Sequence, residues 1–453
     1  MSSKTKTTAT KEEARPALVP KLRFPEFRGA KAWASEPMGE VYSFKGNNSL
    51  SRDKLNYVAG SVKNIHYGDI HTKFSTLFDI TKELVPFINE SEEGIVRDEN
   101  LCAEGDMIFA DASEDMADIG KSIEVVSLNG ERVVSGLHTI LARRIGDRLA
   151  LGFGGHLFKS GWVRTQIQKE AQGAKVLGLS ANRMRNLRLP LPHAEAEQQK
   201  IAECLSSVDE LMAAQARKVD ALKTHKKGLM QQLFPREGET QPRLRFPEFR
   251  NAGAWEVKRV DEQGNVLAGK ALAVNAPGPL RPYLRTKNVL DGAIELSDVL
   301  TMPMTDAEFS RFEILDGDVL LNEGQSLELV GRASIYRGEF GVRCAMQNQL
   351  LRFRAFPATC PEFAAQYFRK CQNDGTFAGV ATKTTSVAHL GSSRFSALEL
   401  PWPSTLPEQQ RIAACLSCLD ALITAETQKL EALKTHKKGL MQQLFPAPEE
   451  VTA

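Results

Sequence analysis

The chain has 453 residues, 42% apolar and 25% charged, with a formal net charge of +2. This balance excludes a wholly disordered chain and a strongly basic nucleic-acid coat, while the length accommodates roughly three domains. No apolar run approaches the ~18 residues of a membrane helix, and seven cysteines in a long chain read as free thiols of a reducing cytoplasm.

In chain order, residues 1–19 are charged without an apolar centre and read as a flexible N-terminal tail, not a secretory signal. LRFPEFR at Leu22–Arg28, followed by Trp33, opens a globular region, residues 20–190. Within it, Asp106–Phe109 and Ser122–Val126 have strand patterns between polar turns, and Phe158–Ala171 is helical. Charge there is uneven. Residues 90–118 carry eleven acidic side chains and only Arg97, whereas 158–190 carry seven basic side chains against Glu170.

Pro190 and Pro192 precede Glu197-Gln198-Gln199 and a long helical segment, 191–235. Ile201, Leu205, Val208, Met212, Gln215, Val219, Leu222, Lys226, Leu229 and Leu233 recur by fours and threes. That 3.5-residue period marks a coiled-coil seam. A linker, 236–242, leads to a second LRFPEFR at Leu244–Arg250 with Trp255, opening region 243–401. Its patterns include a strand at Asp318–Leu321 and a helix at Pro361–Asn373. Pro401, Pro403 and Glu408-Gln409-Gln410 then introduce a second helix, 402–446, and a tail, 447–453. Its seam is Ile412, Leu416, Leu419, Ile423, Glu426, Leu430, Leu433, Lys437, Leu440 and Leu444.

The chain is therefore two copies of one unit. ALKTHKKGLMQQLFP stands at Ala221–Pro235 and, unchanged, at Ala432–Pro446. The unit ends match and the middles diverge, leaving three short echoes. They are Lys63-Asn64-Ile65 with Lys287-Asn288-Val289, Gly105–Ile108 with Gly317–Leu320, and Ile119-Gly120-Lys121 with Val330-Gly331-Arg332. Connectivity predicts an antiparallel helix pair, with a seam of about 50 Å. The expected fold is α+β: two globular domains joined by two long antiparallel coiled-coil helices, with a pseudo-two-fold repeat.

Catalytic motifs are not found. Gly120-Lys121-Ser122 lacks the upstream glycine of a phosphate-binding loop, since Asp115 stands there. Gly152-Phe153-Gly154-Gly155 reads as a turn without a counterpart in the second unit. Neither a methyltransferase Asn/Asp-Pro-Pro-aromatic segment nor a metal-dependent nuclease cluster is present. The eight histidines are scattered without metal spacing, and His225 and His436 read as solvated or partner-facing. Cys415 and Cys418 form a lone CxxC, read as helix packing. No catalytic residue and no metal ligand is assigned.

LRFPEFR with a following Trp, a variable domain, L-x-L-P-x-P, E-Q-Q-x-I-A, a heptad helix and L-M-Q-Q-L-F-P, twice over, resembles the specificity (S) subunit of type I restriction–modification systems. The resemblance spans about residues 20–446. It implies a non-catalytic cytoplasmic subunit whose two target recognition domains each read half of a split, asymmetric site on double-stranded DNA. The helices then space the halves and dock two modification (M) subunits. It places S-adenosylmethionine on the M subunits and ATP with Mg on the restriction (R) subunits, so this chain carries no cofactor. A seam of about 50 Å would span roughly one to one and a half turns of DNA.

Candidate base readers are the echoed polar residues Lys63, Asn64 and Lys121, and Lys287, Asn288 and Arg332. Asn182, Arg183 and Arg185, with Lys383 and Arg394, lie in the basic approach to each helix. Arg and Lys suit guanine, and Asn suits adenine. The acidic run Asp111–Asp118 is either a cytosine-reading loop or a surface for a basic partner. Two other readings stand beside this one: a scaffold with two non-DNA ligand-binding domains, and a methyltransferase or nuclease with unrecognised motifs.

Overall fold

The computed structural model describes residues 18–271, 276–384 and 387–447. Most of both expected tails thus lies outside the described residues. The chain forms two compact units, Met1–Gln215 with Lys429–Ala453, and Ala216–Gln428. Each contains one α+β domain, the start of one long helix and the end of the other.

Both domains are built on the same antiparallel core sheet. In the first unit the strand order is Tyr42–Lys45, Thr139–Arg144, Met107–Ala110, Ser122–Ser127, with Leu77–Asp79 added in parallel at the edge. In the second it is Gly264–Ala268, Leu350–Ala355, Val319–Asn322, Ala333–Ile335. The central strands, such as Met107–Ala110 and Val319–Asn322, are buried at every position. That burial explains their continuous apolar runs where one-sided strands would alternate. A second, smaller sheet lies in each domain.

The echo at Gly120 and Gly331 has a steric cause. Both glycines have positive φ, +65° and +76°. A Cβ at Gly120 would meet Ile167 Cγ2 at 2.6 Å, and one at Gly331 would collide with Phe377. By contrast, Lys63-Asn64-Ile65 and Lys287-Asn288-Val289 do not occupy one place. Gly136 N donates to Ile65 O and Gln347 N to Leu284 O, both at 2.9 Å, which superposes Ile65 on Leu284. The sequence echo is five residues out of register with the fold.

The Gly152–Gly155 segment corrects another expectation. It begins a short helix, Phe153–Leu157, whose counterpart is the start of Pro361–Asn373. Phe153 packs against Trp33 and Phe445, with centroids 6.3 and 5.8 Å away, as Phe363 packs against Trp255 and Phe234 at 5.9 and 5.4 Å. Such ring pairs add about 0.5–1.5 kcal/mol each beyond burial.

The two long helices are Glu195–Leu233 and Leu406–Leu444. Within the first unit Ile201 and Leu205 share a core with Leu444 and Phe445; within the second, Ile412 and Leu416 share one with Leu233 and Phe234. Residue numbers rise along one helix as they fall along the other, so the pairing is antiparallel. Val208 and Val219 are also buried, and Met212, Leu222, Leu229, Leu419, Ile423, Leu433 and Leu440 are half-buried. The buried seam positions, expected as spacer or partner-docking residues, are thus filled by the chain's own packing, while the half-buried ones keep part of their surface open.

The polar interruptions of the seam are answered within each unit. Lys437 Nζ reaches Asp209 Oδ1 at 2.5 Å in the first, and Lys226 Nζ reaches Asp420 Oδ1 at 2.6 Å in the second. Asp209 and Asp420 stand at equivalent positions of the two helices, so one ion pair occurs twice. In the second unit Glu426 also pairs with Lys218 at 3.0 Å.

The repeated end motifs are likewise internal fasteners. Arg23 of LRFPEFR donates from Nε to Glu197 Oε1 and from Nη2 to Oε2, both at 2.7 Å, and Trp33 Nε1 donates to the same carboxylate at 3.2 Å. Arg245, Trp255 and Glu408 repeat this at 2.6, 2.7 and 3.3 Å. Gln198 and Gln409 accept from the backbone N–H groups of Ala150 and Cys360 at 2.9 and 2.8 Å. Leu22 N donates to Gln443 O and Leu244 N to Gln232 O, each at 2.9 Å, which joins LRFPEFR to LMQQLFP. The 236–242 linker is also tied down, because Trp255 N donates to Thr240 O at 2.8 Å.

Candidate nucleic-acid interface

Where the central strand ends, both domains build one backbone frame. In the first unit Asp111 N donates to His138 O at 3.0 Å and Leu179 N donates to Asp111 O at 2.8 Å. In the second, Glu323 N donates to Gln349 O at 2.8 Å and Leu390 N to Glu323 O at 2.9 Å. Three segments therefore meet: the end of the central strand, the start of its neighbour, and a surface loop leading to the long helix. That loop pairs as Leu177–Gly178 with Ala112–Ser113 in the first unit, and as Ala388–His389 with Gly324–Gln325 in the second.

The frame is shared but its side chains are not. In the first unit Asp111 Oδ1 lies 3.2 Å from His138 Nδ1, and the loop position beside them is Gly178. In the second unit the equivalent residues are Glu323, Gln349 and His389. Glu323 Oε2 lies 3.1 Å from His389 Nδ1, and Gly324 clears the space. His138 is 51% exposed and His389 33% exposed. Burial pushes the Asp111 carboxyl above its ordinary range, against the opposing pull of His138.

Aromatic rings extend the first frame. Tyr67 lies edge-on to His138, with centroids 5.3 Å apart, and against His66 at 4.7 Å and His71 at 6.1 Å. His71 Nε2 meets Ala112 O at 3.1 Å, and Lys121 Nζ donates to His71 O at 2.7 Å. Burial, then the charge of Arg52, lowers the pKa of His66. The sequence reading missed this cluster because its members lie up to 72 positions apart. Aligning the two core sheets strand by strand would have found the frame.

The residues singled out from sequence fall into three groups. Asn64 and Asn288 are fully buried. Asn64 accepts from Asn48 at 2.6 Å, and Asn288 donates to Glu295 O and Asp298 O at 2.7 and 3.1 Å. They are corrected to internal ties, since a buried amide cannot meet a base edge. Lys63, Lys121, Arg183, Lys287 and Arg394 reach the surface but are engaged. Lys63 pairs with Glu131 at 2.5 Å and Lys287 with Asp298 at 2.7 Å. Arg183 donates to Glu170 O at 3.2 Å, and Arg394 donates to Thr382 Oγ1 at 2.9 Å. Arg332 is half-buried beside its glycine. Asn182, Arg185 and Lys383 are exposed, with Arg185 lying 5.0 Å over the Phe44 ring.

The C-terminal part of the acidic run is tied down inside its own domain. Arg164 Nη2 donates to Ala117 O and Ile119 O at 2.9 and 2.7 Å, and Lys121 lies 3.7 Å from Asp118. The hairpin behind it, Gln172–Gly178, is exposed at Lys175 and Val176. Lys383 and Thr384 are exposed on the corresponding segment of the second unit. Each frame is thus flanked by a cation with access to solvent, the chemistry that meets a phosphate.

Among the described residues, no group of three or more His, Cys, Asp or Glu side chains is placed to hold a metal ion. No helix among them is long and apolar enough to cross a membrane.

A family model described as the type I restriction modification DNA specificity domain matches residues 156–224 and 253–435, more than half of the chain. The chain is 24% identical over 193 residues to the putative type I restriction enzyme MjaX specificity subunit of Methanocaldococcus jannaschii, covering 42% of this chain and 45% of that one. It is 27% identical over 209 residues to the MjaVIII specificity subunit of the same organism, covering 45% and 43%. It is 23% identical over 222 residues to the EcoKI specificity subunit of Escherichia coli, covering 48% and 47%. The chain thus spans just under half the length of the curated relatives it matches. In fold it is similar to a type I restriction–modification S subunit from M. genitalium, with a TM-score of 0.58 and 13% identity over 94% of this chain and 99% of that one. A chain from a structural study of type I R-M complex assembly aligns with a TM-score of 0.55 and 17% identity, over 92% and 98%.

Proposed function

The chain belongs to the type I restriction–modification DNA specificity family, and on that premise we propose that each of its two units reads one half of a bipartite, asymmetric site on double-stranded DNA. Members of this family are non-catalytic specificity subunits; the methyltransferase belongs to the complex. The observation that carries the proposal is one backbone frame presented twice with different side chains, Asp111 with His138, and Glu323 with Gln349 and His389. Unlike readers on like scaffolds call for unlike half-sites.

We further propose that the long helices set the gap between half-sites and dock two M subunits, one per repeat. In Ala221–Pro235 and its copy, Lys223, Thr224, His225 and Lys227 are exposed, as are Lys434, Thr435, His436 and Lys438. The fold does not require identical solvent-facing side chains, whereas one partner bound twice does. On this reading adenine methylation with S-adenosylmethionine is performed by the M subunits, and ATP-dependent, Mg-dependent restriction by R subunits joined through the complex. The site of action is the cytoplasm.

Methylome sequencing of a host carrying this gene and its neighbouring M gene, with and without this chain, tests the proposal. A split, asymmetric methyladenine motif that depends on the chain is expected. A continuous palindrome would refute two readers. Methylation or cleavage by the purified chain alone would instead make it an enzyme, and no DNA binding even with M subunits would leave a scaffold for other ligands.

A further inference from the structure

We infer that the side chains on the repeated frame are the specificity-determining base readers: Asp111 and His138 in the first unit, and Glu323, Gln349 and His389 in the second. This rests on the DNA-specificity reading above and assigns residues to it.

Four observations converge. First, the frame is fixed by the same backbone hydrogen bonds in both units, at 2.8–3.0 Å. It is therefore a built position and not a chance turn. Second, the inward-facing residues around it are chemically alike in the two units, Leu179 with Leu390 and Ile119 with Val330, all buried. The surface-facing side chains between them change chemistry. Third, His138 is held at φ +54° in the left-handed region, which is uncommon for a residue other than glycine. A strained backbone kept beneath a half-exposed side chain is a mark of a functional position. Fourth, solvent-accessible cations flank each frame, Lys175 in the first unit and Lys383 in the second. Phosphate contacts by these residues would fix the register in which base edges are read.

The chemistry differs between units in a way bases can distinguish. Asp111 touches one ring nitrogen of His138, leaving Nε2 to address a base edge. Glu323 orients His389 in the same manner, and Gln349 adds an amide beside it. An amide can donate to and accept from adenine, and a carboxylate accepts from the cytosine amino group. Glycine alternates with the side chain: Gly178 stands where His389 does, and Gly324 where Ala112 does. Each unit thereby opens space on the side where the other carries bulk.

The test uses the full chain with its M subunit, in a host and as the purified complex. His138→Gln is read against Glu323→Gln and Gln349→Leu by methylome sequencing. Each substitution is expected to change the motif in one half only, with discrimination at one or two base pairs falling about tenfold or more. The other half and the gap stay as in the parent. Unchanged motifs in both halves at parental methylation would overturn the inference, as would changes in both halves from one substitution. If a variant methylates nothing, selecting duplexes bound by its complex reads the same preference, and a parental preference there also overturns it. Absence of any motif with the parent chain would refute the DNA-specificity reading itself, which keeps the two failures distinct.

Discussion

Glu197 receives three hydrogen bonds in a buried site, from Arg23 twice and from Trp33, and joins the start of its unit to the long helix. Glu197→Gln would leave a buried guanidinium facing an amide. The first unit should lose about 3 kcal/mol, by the cost of breaking a buried pair, with Glu408→Gln doing the same in the second. Denaturant melts would show this, and a loss below about 1 kcal/mol for both would mean the fastener does not hold the fold. Glu124 gives a pH dependence peculiar to the first unit. It accepts from Gly152 N and Gly155 N at 2.8 and 2.6 Å, yet burial pushes its carboxyl up from 4.5 to about 7. The folded unit therefore holds this proton more tightly than the unfolded chain. That stabilisation is complete below about pH 4.5 and is lost as pH rises through 7. A decline of up to about 3 kcal/mol between pH 5 and 8 is expected, and Glu124→Gln should flatten it. The second unit has Ile335 at the equivalent place and provides the internal control.

At the scale of the element, the seam could be followed in the sequence because burial follows a 3.5-residue period. The apolar seam positions from Ile201 to Leu233 and from Ile412 to Leu444 are all buried or half-buried. The reason for its polar positions could not be read, since the ion partner lies on the other helix. Lys226 pairs with Asp420 across 194 positions. Burial, then Arg369, lowers the pKa of Lys226, while Arg369 and Lys226 hold the Asp420 carboxyl low against its own burial. Lys226→Met alone should cost about 2 kcal/mol, because Asp420 loses a cation. A double-mutant cycle with Asp420→Leu should give a coupling of about 1 kcal/mol or more. Additive losses would show that the pair does not fix register. The Phe153 helix was misread as a turn because its glycines mark close packing and not a chain reversal. A Cβ at Gly155 would meet Leu77 at 2.7 Å and one at Gly154 the Tyr42 hydroxyl at 2.7 Å.

At the scale of the whole molecule, two units share a sheet, a set of fasteners and a frame, and differ in what the frame presents. Replacing residues 34–190 with the first domain of another family member should change only one half of the methylated motif. A change in both halves would show that the units do not read independently. A chain of formal net charge +2 has little phosphate-directed attraction overall. Alone it should bind DNA weakly, with affinity rising steeply when M subunits join; strong binding by the lone chain at 200 mM salt, a condition that weakens phosphate contacts, would contradict this.

The sequence by itself determined the duplication, the two long helices with their seam, the α+β class and the family, because each is written as a local period or as an exact repeat. Only the tertiary structure decided what the repeated motifs do and which polar residues face outward. Arg23 and Glu197 meet across 174 positions, and Asp111 meets His138 across 27. Asn64 and Asn288 looked equivalent in sequence and prove to be buried in different places. Strand pairing brings distant residues together and decides which face water, and no local pattern carries that information. The helix period is legible because neighbours in sequence are neighbours in space, whereas the strand-end frame exists only once the sheets close.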